Sequence, residues 1–128
     1  MTVASTGKAT ELVEESEADY SPIDVDAISS RTDSVLSLRM GTTTRAEMDR
    51  HLSGIAKELN GLLAQNLGAE DDSEVRELVR TATRLIDLTN RPTAETPTFG
   101  TFLYLRDVAL LTRRLLWIYS ARNGLDVP

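Results

Sequence analysis

The 128-residue chain has a formal net charge of −6, with 41% apolar and 27% charged residues, a globular composition in a length that suits one hydrophobic core. It contains no cysteine, which excludes disulfides, thiol nucleophiles, iron–sulfur clusters and thiolate zinc sites. No window approaches the roughly 18 apolar residues of a membrane span, and the first thirty residues have no apolar stretch behind a basic start. The chain therefore reads as cytoplasmic, neither exported nor inserted.

The charge is unevenly placed. Residues 1–20 carry Glu11, Glu14, Glu15, Glu17 and Asp19 against Lys8 alone, with too few branched apolar residues to offset ordering entropy. They read as a disordered acidic tail, either a solubilising leader or an arm for a basic partner. Residues 21–128 read as a single helical domain. That body is near neutrality, so it lacks the basic field on which nucleic-acid binding relies. The basic residues are twelve arginines and two lysines, a bias typical of a GC-rich genome.

Ser21 and Pro22 suit a helix start, and a first helix is expected from about 22 to 40. Val25, Ile28, Thr32, Val35 and Leu36 fall on one arc and Gly41 follows as the stop. Arg39 falls within the same arc, either at its rim or as an interior ion-pair donor to Asp107 or Glu58. Thr44-Arg45-Ala46-Glu47 matches a capping box. The second helix begins there, with Met48, Leu52, Ile55, Leu59, Leu62 and Leu63 as its stripe and a stop at 66–68. Gly54 and Gly61 stand seven apart and could admit a close neighbour.

Asp71, Asp72 and Ser73 offer the next cap, and a third helix is expected over about 73–90 with Val75, Leu78, Val79, Ala82, Leu85 and Ile86 inward. Arg76, Arg80 and Arg84 line its other side, either as a row that grips phosphates or an acidic partner or as a solvated face paired with Asp72, Glu77 and Asp87 at helical spacing. Two prolines, Pro92 and Pro97, mark a connection. The fourth helix spans about 98–122 and ends at Asn123-Gly124. Four helices with short links favour an all-α, up-down-up-down four-helix bundle.

Few patterns point to catalysis. A di-iron bundle needs two Glu-x-x-His pairs, whereas His51 is the one histidine and sits at the edge of the second helix's apolar arc. Neither a nucleophile elbow nor a glycine-rich phosphate loop occurs. Glu95 and Asp107 could meet at a bundle end, but their spacing does not single them out. No cofactor or metal site is expected, and the chain reads as non-enzymatic.

The fourth helix is the informative element. Tyr104, Leu105, Val108, Leu111, Leu115, Leu116 and Tyr119 form an arc toward the bundle. On the opposite side Phe99, Leu103, Leu110 and Trp117 make a second stripe, bordered by Arg106, Asp107, Arg113 and Arg114. Either the tail or a loop covers this stripe or it is an interface, since aromatic residues and arginine are enriched at binding hot spots.

The stretches TRAEMDRHLSGIAKELNGLLAQNL and LTRRLLWIYSARNG, with the layout from Pro22 to Asn123, resemble a group of small all-helical actinobacterial proteins of unassigned function, named for their occurrence near natural-product biosynthesis genes. The resemblance implies a helical body and assigns no functional residue. The resulting expectation is an interaction or regulatory bundle that binds another protein or itself through Phe99, Leu103, Arg106, Leu110, Arg113, Arg114 and Trp117. The alternative is a small-ligand-binding or accessory catalytic protein with a pocket at the bundle end, lined by Tyr104, Tyr119 and the 91–99 loop.

Overall fold

Helix α1, Val25–Leu36, starts where the Asp24 carboxylate accepts a hydrogen bond from the Ala27 amide, satisfying one of the free N–H groups of the first turn. The computed structural model describes residues 23–125. The expected acidic tail over residues 1–20 and the cap at Ser21-Pro22 lie outside them. Helix α1 is shorter than the 22–40 span expected from sequence. Asp24 provides the cap, and at the other end Ser37 closes the helix through bonds from its amide to the Asp33 and Val35 carbonyls, four residues before Gly41.

Helix α2, Arg45–Leu63, begins with the expected capping box: the Thr44 hydroxyl accepts from the Glu47 amide and the Glu47 carboxylate accepts from the Thr44 amide. That backbone bond also holds the Glu47 carboxyl below its ordinary pKa. Helix α3, Ser73–Leu85, is capped by Asp72, which accepts from the Glu74 and Val75 amides. It stops earlier than the expected residue 90. Asp87 accepts from the Thr89 amide and hydroxyl, which turns Leu88–Asn90 into a 3-10 turn. Asn90 and Arg91 then donate to the Arg84 and Ile86 carbonyls, so side chains satisfy the acceptors that a longer helix would have used internally. Helix α4, Thr98–Arg122, closes at Gly124, whose φ of 67° carries the chain back so that the Leu125 amide donates to the Ser120 carbonyl.

Cross-links between elements fix the topology. Arg45, at the start of α2, donates to the Thr93 and Thr96 carbonyls just before α4, and Arg122, at the end of α4, donates to the Asn66 carbonyl just past α2. These two helices therefore run parallel. Helix α3 runs the other way, since Glu74 near its start pairs with Arg114 and the Leu85 carbonyl at its end accepts from the Tyr104 hydroxyl. Helix α1 is antiparallel to both α2 and α4, with Arg31 paired to Glu58 and Asp33 to Arg113. The result is the up-down-up-down bundle expected from the short links.

Helix α4 is its axis and packs against all three others, most extensively against α2 and α1. The core comprises Ile28 and Val35 of α1, Met48, Ile55, Leu59 and Leu62 of α2, Val75 and Ala82 of α3, and Leu105, Val108, Leu115 and Leu116 of α4. Thr101, Ala109, Thr112 and Ser120 are also fully buried on α4. Their small size lets the neighbouring helices approach, and the Thr101 and Thr112 hydroxyls donate to carbonyls four residues back, the local bond that keeps a buried hydroxyl satisfied. Gly54 performs a related task on α2. A β-carbon there would lie 2.5 Å from Arg31 Cζ, so the missing side chain makes room for the guanidinium that reaches Glu58 at 2.9 Å.

Candidate interaction surface

The two faces of α4 differ sharply in solvent exposure. Leu105, Val108, Leu115 and Leu116 are at most 2% exposed, whereas Phe99 is 58%, Leu103 41%, Leu110 45% and Trp117 46% exposed. Each of the four outward residues lies within about 40° of Phe99 on a helical projection, so they form one stripe along the helix. Among the described residues, Leu88 and Leu125 are the other large apolar residues exposed to this degree, and both lie off α4. Single exposed apolar residues of that kind are ordinary.

Arginines edge the stripe on both sides. Arg113 lies 3.3 Å from Asp33 of α1, and Arg114 lies 3.3 Å from Glu74 of α3. Both pairs are exposed and contribute little stability, but they tie the outer face of α4 to its flanking helices. Arg106 has no ion-pair partner among the described residues. Between Arg106 and Arg113 the surface opens into a groove of about 350 Å³, walled by Leu36 and Leu38 from the end of α1 and by Phe102, Leu105 and Leu110 of α4. The structure thus brings all seven residues singled out by sequence, Phe99, Leu103, Arg106, Leu110, Arg113, Arg114 and Trp117, onto one side of one helix.

The groove wall from α1 is an addition that sequence reasoning missed. Leu38 follows the end of α1, and its half-buried position arises from the turn that carries the chain toward Thr44. It left no signal in the sequence, because Leu38 falls inside the span expected to be helical.

Other candidates take different positions from those expected. Tyr104 and Tyr119 do not share a pocket, because fifteen residues of α4, about 22 Å of rise, separate them. The Tyr104 hydroxyl is engaged by the Leu85 carbonyl at 2.7 Å, and burial raises its pKa. Arg39 is exposed in the turn after α1, so it is no interior donor; Glu58 pairs with Arg31 instead. On α3 only Arg80 follows the expected pairing, with Glu77 at 2.6 Å. Arg76 instead donates to the Ala69 and Glu70 carbonyls. Glu95 accepts from the Thr93 hydroxyl within the 93–96 turn and is not joined to Asp107.

Two groups of α2, Glu58 and His51, have shifted pKa values, and each feels the Arg31 guanidinium of α1. Burial raises the Glu58 pKa despite the Arg31 guanidinium, so desolvation outweighs the ion pair. Burial also lowers the His51 pKa, with Arg31 and Arg50 acting in the same direction. Its Nδ1 is buried without a hydrogen-bond partner among the described residues. Among those residues no group of three or more His, Asp or Glu side chains is arranged to hold a metal ion, and no helix is long and apolar enough to cross a membrane.

Compared with known protein families, curated proteins and solved structures, the chain matches none.

Proposed function

We propose that this protein is a non-enzymatic interaction module that docks a protein chain on the outer face of α4. The observation that carries the reading is the stripe itself. Phe99, Leu103, Leu110 and Trp117 stand open on a helix whose inward residues Leu105, Val108, Leu115 and Leu116 are at most 2% exposed. By elementary transfer energetics, holding such side chains in water is unfavourable by on the order of 1 kcal/mol each. A contiguous patch of this kind, edged by arginines, has the composition of a binding surface with a partly desolvated centre and a charged rim.

The bundle supports that use mechanically. Packing against three helices holds the backbone of α4, so a partner does not have to order the helix that carries the stripe. A regulatory role beside natural-product biosynthesis, as the resemblance to the actinobacterial helical proteins suggests, belongs to the same proposal.

Trp117→Ala and Leu110→Asp test it. Both are expected to keep the helical circular-dichroism signal and a cooperative unfolding transition while weakening association by at least tenfold. If either substitution unfolds the protein, the stripe belongs to the core and the reading fails.

A further inference from the structure

We infer that the occupant of this face is a second copy of the chain, laid antiparallel along α4; this rests on the interaction reading above. The outward residues Phe99, Leu103, Arg106, Leu110, Arg113 and Trp117 follow one another along α4 at intervals of four, three, four, three and four. That is the 3.5-residue repeat that keeps one seam facing a partner helix over successive turns. The seam is about 27 Å long at the helical rise.

Charge chooses the direction. In a parallel pair every seam position meets its own copy, which sets Arg106 against Arg106 and Arg113 against Arg113, like charges facing each other across the contact. Antiparallel pairing removes this conflict. The one register that gives all six seam residues a partner places Phe99 opposite Trp117, Leu103 opposite Arg113 and Arg106 opposite Leu110 of the second copy. No arginine then faces an arginine, and the aromatic pair closes each end of the seam.

The same register finds a counter-charge for Arg106. The two-fold axis it requires lies in the plane between the copies, so both α1 helices fall on one side of the seam. Arg106 comes opposite Leu110 of the second copy and within about one helical turn of that copy's Arg113. Beside Arg113 stands Asp33, whose side chain is 69% exposed and makes one 3.3 Å contact with Arg113. Its carboxylate has room for a second guanidinium.

Area sets the strength. The exposed parts of Phe99, Leu103, Leu110 and Trp117 amount to on the order of 400 Å². With the arginine stems and the half-buried Leu36 and Leu38, each copy buries roughly 600–800 Å², at the lower edge of the size found for stable pairs. A contact of that size fits a dimer that exchanges with monomer.

Because the 128-residue chain has no cysteine, single cysteines report the register directly. Leu103→Cys and Arg113→Cys are oxidised separately and as an equimolar mixture, and the products are separated without reductant. Arg106→Cys with Leu110→Cys forms a second pair, and Leu103→Cys with Arg80→Cys measures random collision. The expected result is a disulfide-linked dimer in both seam mixtures, at least tenfold above each single variant and above the collision control. Equal cross-linking of Leu103→Cys with itself, or a dimer by mass without mixed disulfides, would overturn the antiparallel register. A monomer at all concentrations up to several hundred micromolar would overturn self-pairing altogether; the fold of Leu110→Asp would still decide the interaction reading separately.

Discussion

Leu105 and Leu110 lie five residues apart on α4, about 140° apart around its axis, and the same substitution at each should have very different consequences. Leu105 is 1% exposed and Leu110 is 45% exposed. Truncating Leu105 to Ala removes fully buried methyl groups and leaves a cavity among helices that cannot collapse onto it, at a cost of about 3 kcal/mol. At Leu110 the removed atoms are already half wet and the space opens to solvent, so the transfer term alone applies, about 1 kcal/mol or less. The assay is urea unfolding followed by circular dichroism, at a protein concentration low enough to keep the chain monomeric. With a slope of about 1.5–2 kcal/mol per molar urea for a chain of this size, Leu105→Ala moves the midpoint by about 2 M and Leu110→Ala by about 0.5 M. Equal shifts would refute the two-faced description of α4, because they would require Leu110 to be packed as tightly as Leu105.

Thr44→Ala removes one half of the capping box at the start of α2 and is expected to cost about 1 kcal/mol in the same assay; a midpoint identical to the unmodified chain would contradict that role. Replacing Arg31 alone by Met leaves the half-buried Glu58 carboxylate without its partner and should destabilise the fold. The Arg31→Met/Glu58→Met double variant should recover most of the loss, since burial already outweighs the pair. Thermal unfolding of both variants checks the order. For His51 the folded-state pKa lies below the ordinary value of 6.5, so the unfolded chain binds the proton more readily. The associated stability is complete above pH 6.5 and is lost as pH falls from there through the folded-state value. His51→Gln should flatten that segment of the stability–pH curve, and an unchanged slope would contradict it.

Where one local interaction governs a boundary, it was legible in the sequence. Thr44 with Glu47, and Asp72 before Glu74, announce the starts of α2 and α3 because the cap is built from residues within one turn. Boundaries with two competing signals were misread. Asp24 stands just after Ser21-Pro22 and takes the cap of α1, and Asp87 diverts the chain into a 3-10 turn where the periodicity of α3 continues through Ile86. Apolar periodicity also passed over Thr101, Ala109, Thr112 and Ser120, because a close helix contact requires small volume and does not depend on apolar character. Pairings across the bundle were not legible. Arg31 reaches Glu58 because Gly54 leaves space beside it, and no spacing along the chain encodes that. The second stripe of α4 was legible because an apolar set too wide for one face has to occupy two. Its widening into a groove was not, since Leu36 and Leu38 belong to another helix and the turn that follows it.

The most direct test of self-pairing through α4 is the solution mass of the 128-residue chain across a concentration series, by light scattering after size exclusion, with Leu110→Asp alongside. The expected mass rises from one chain toward two in the micromolar range, and a folded Leu110→Asp variant stays at one. A fixed monomer mass for both proteins, or a dimer that Leu110→Asp leaves intact, would contradict self-pairing through α4.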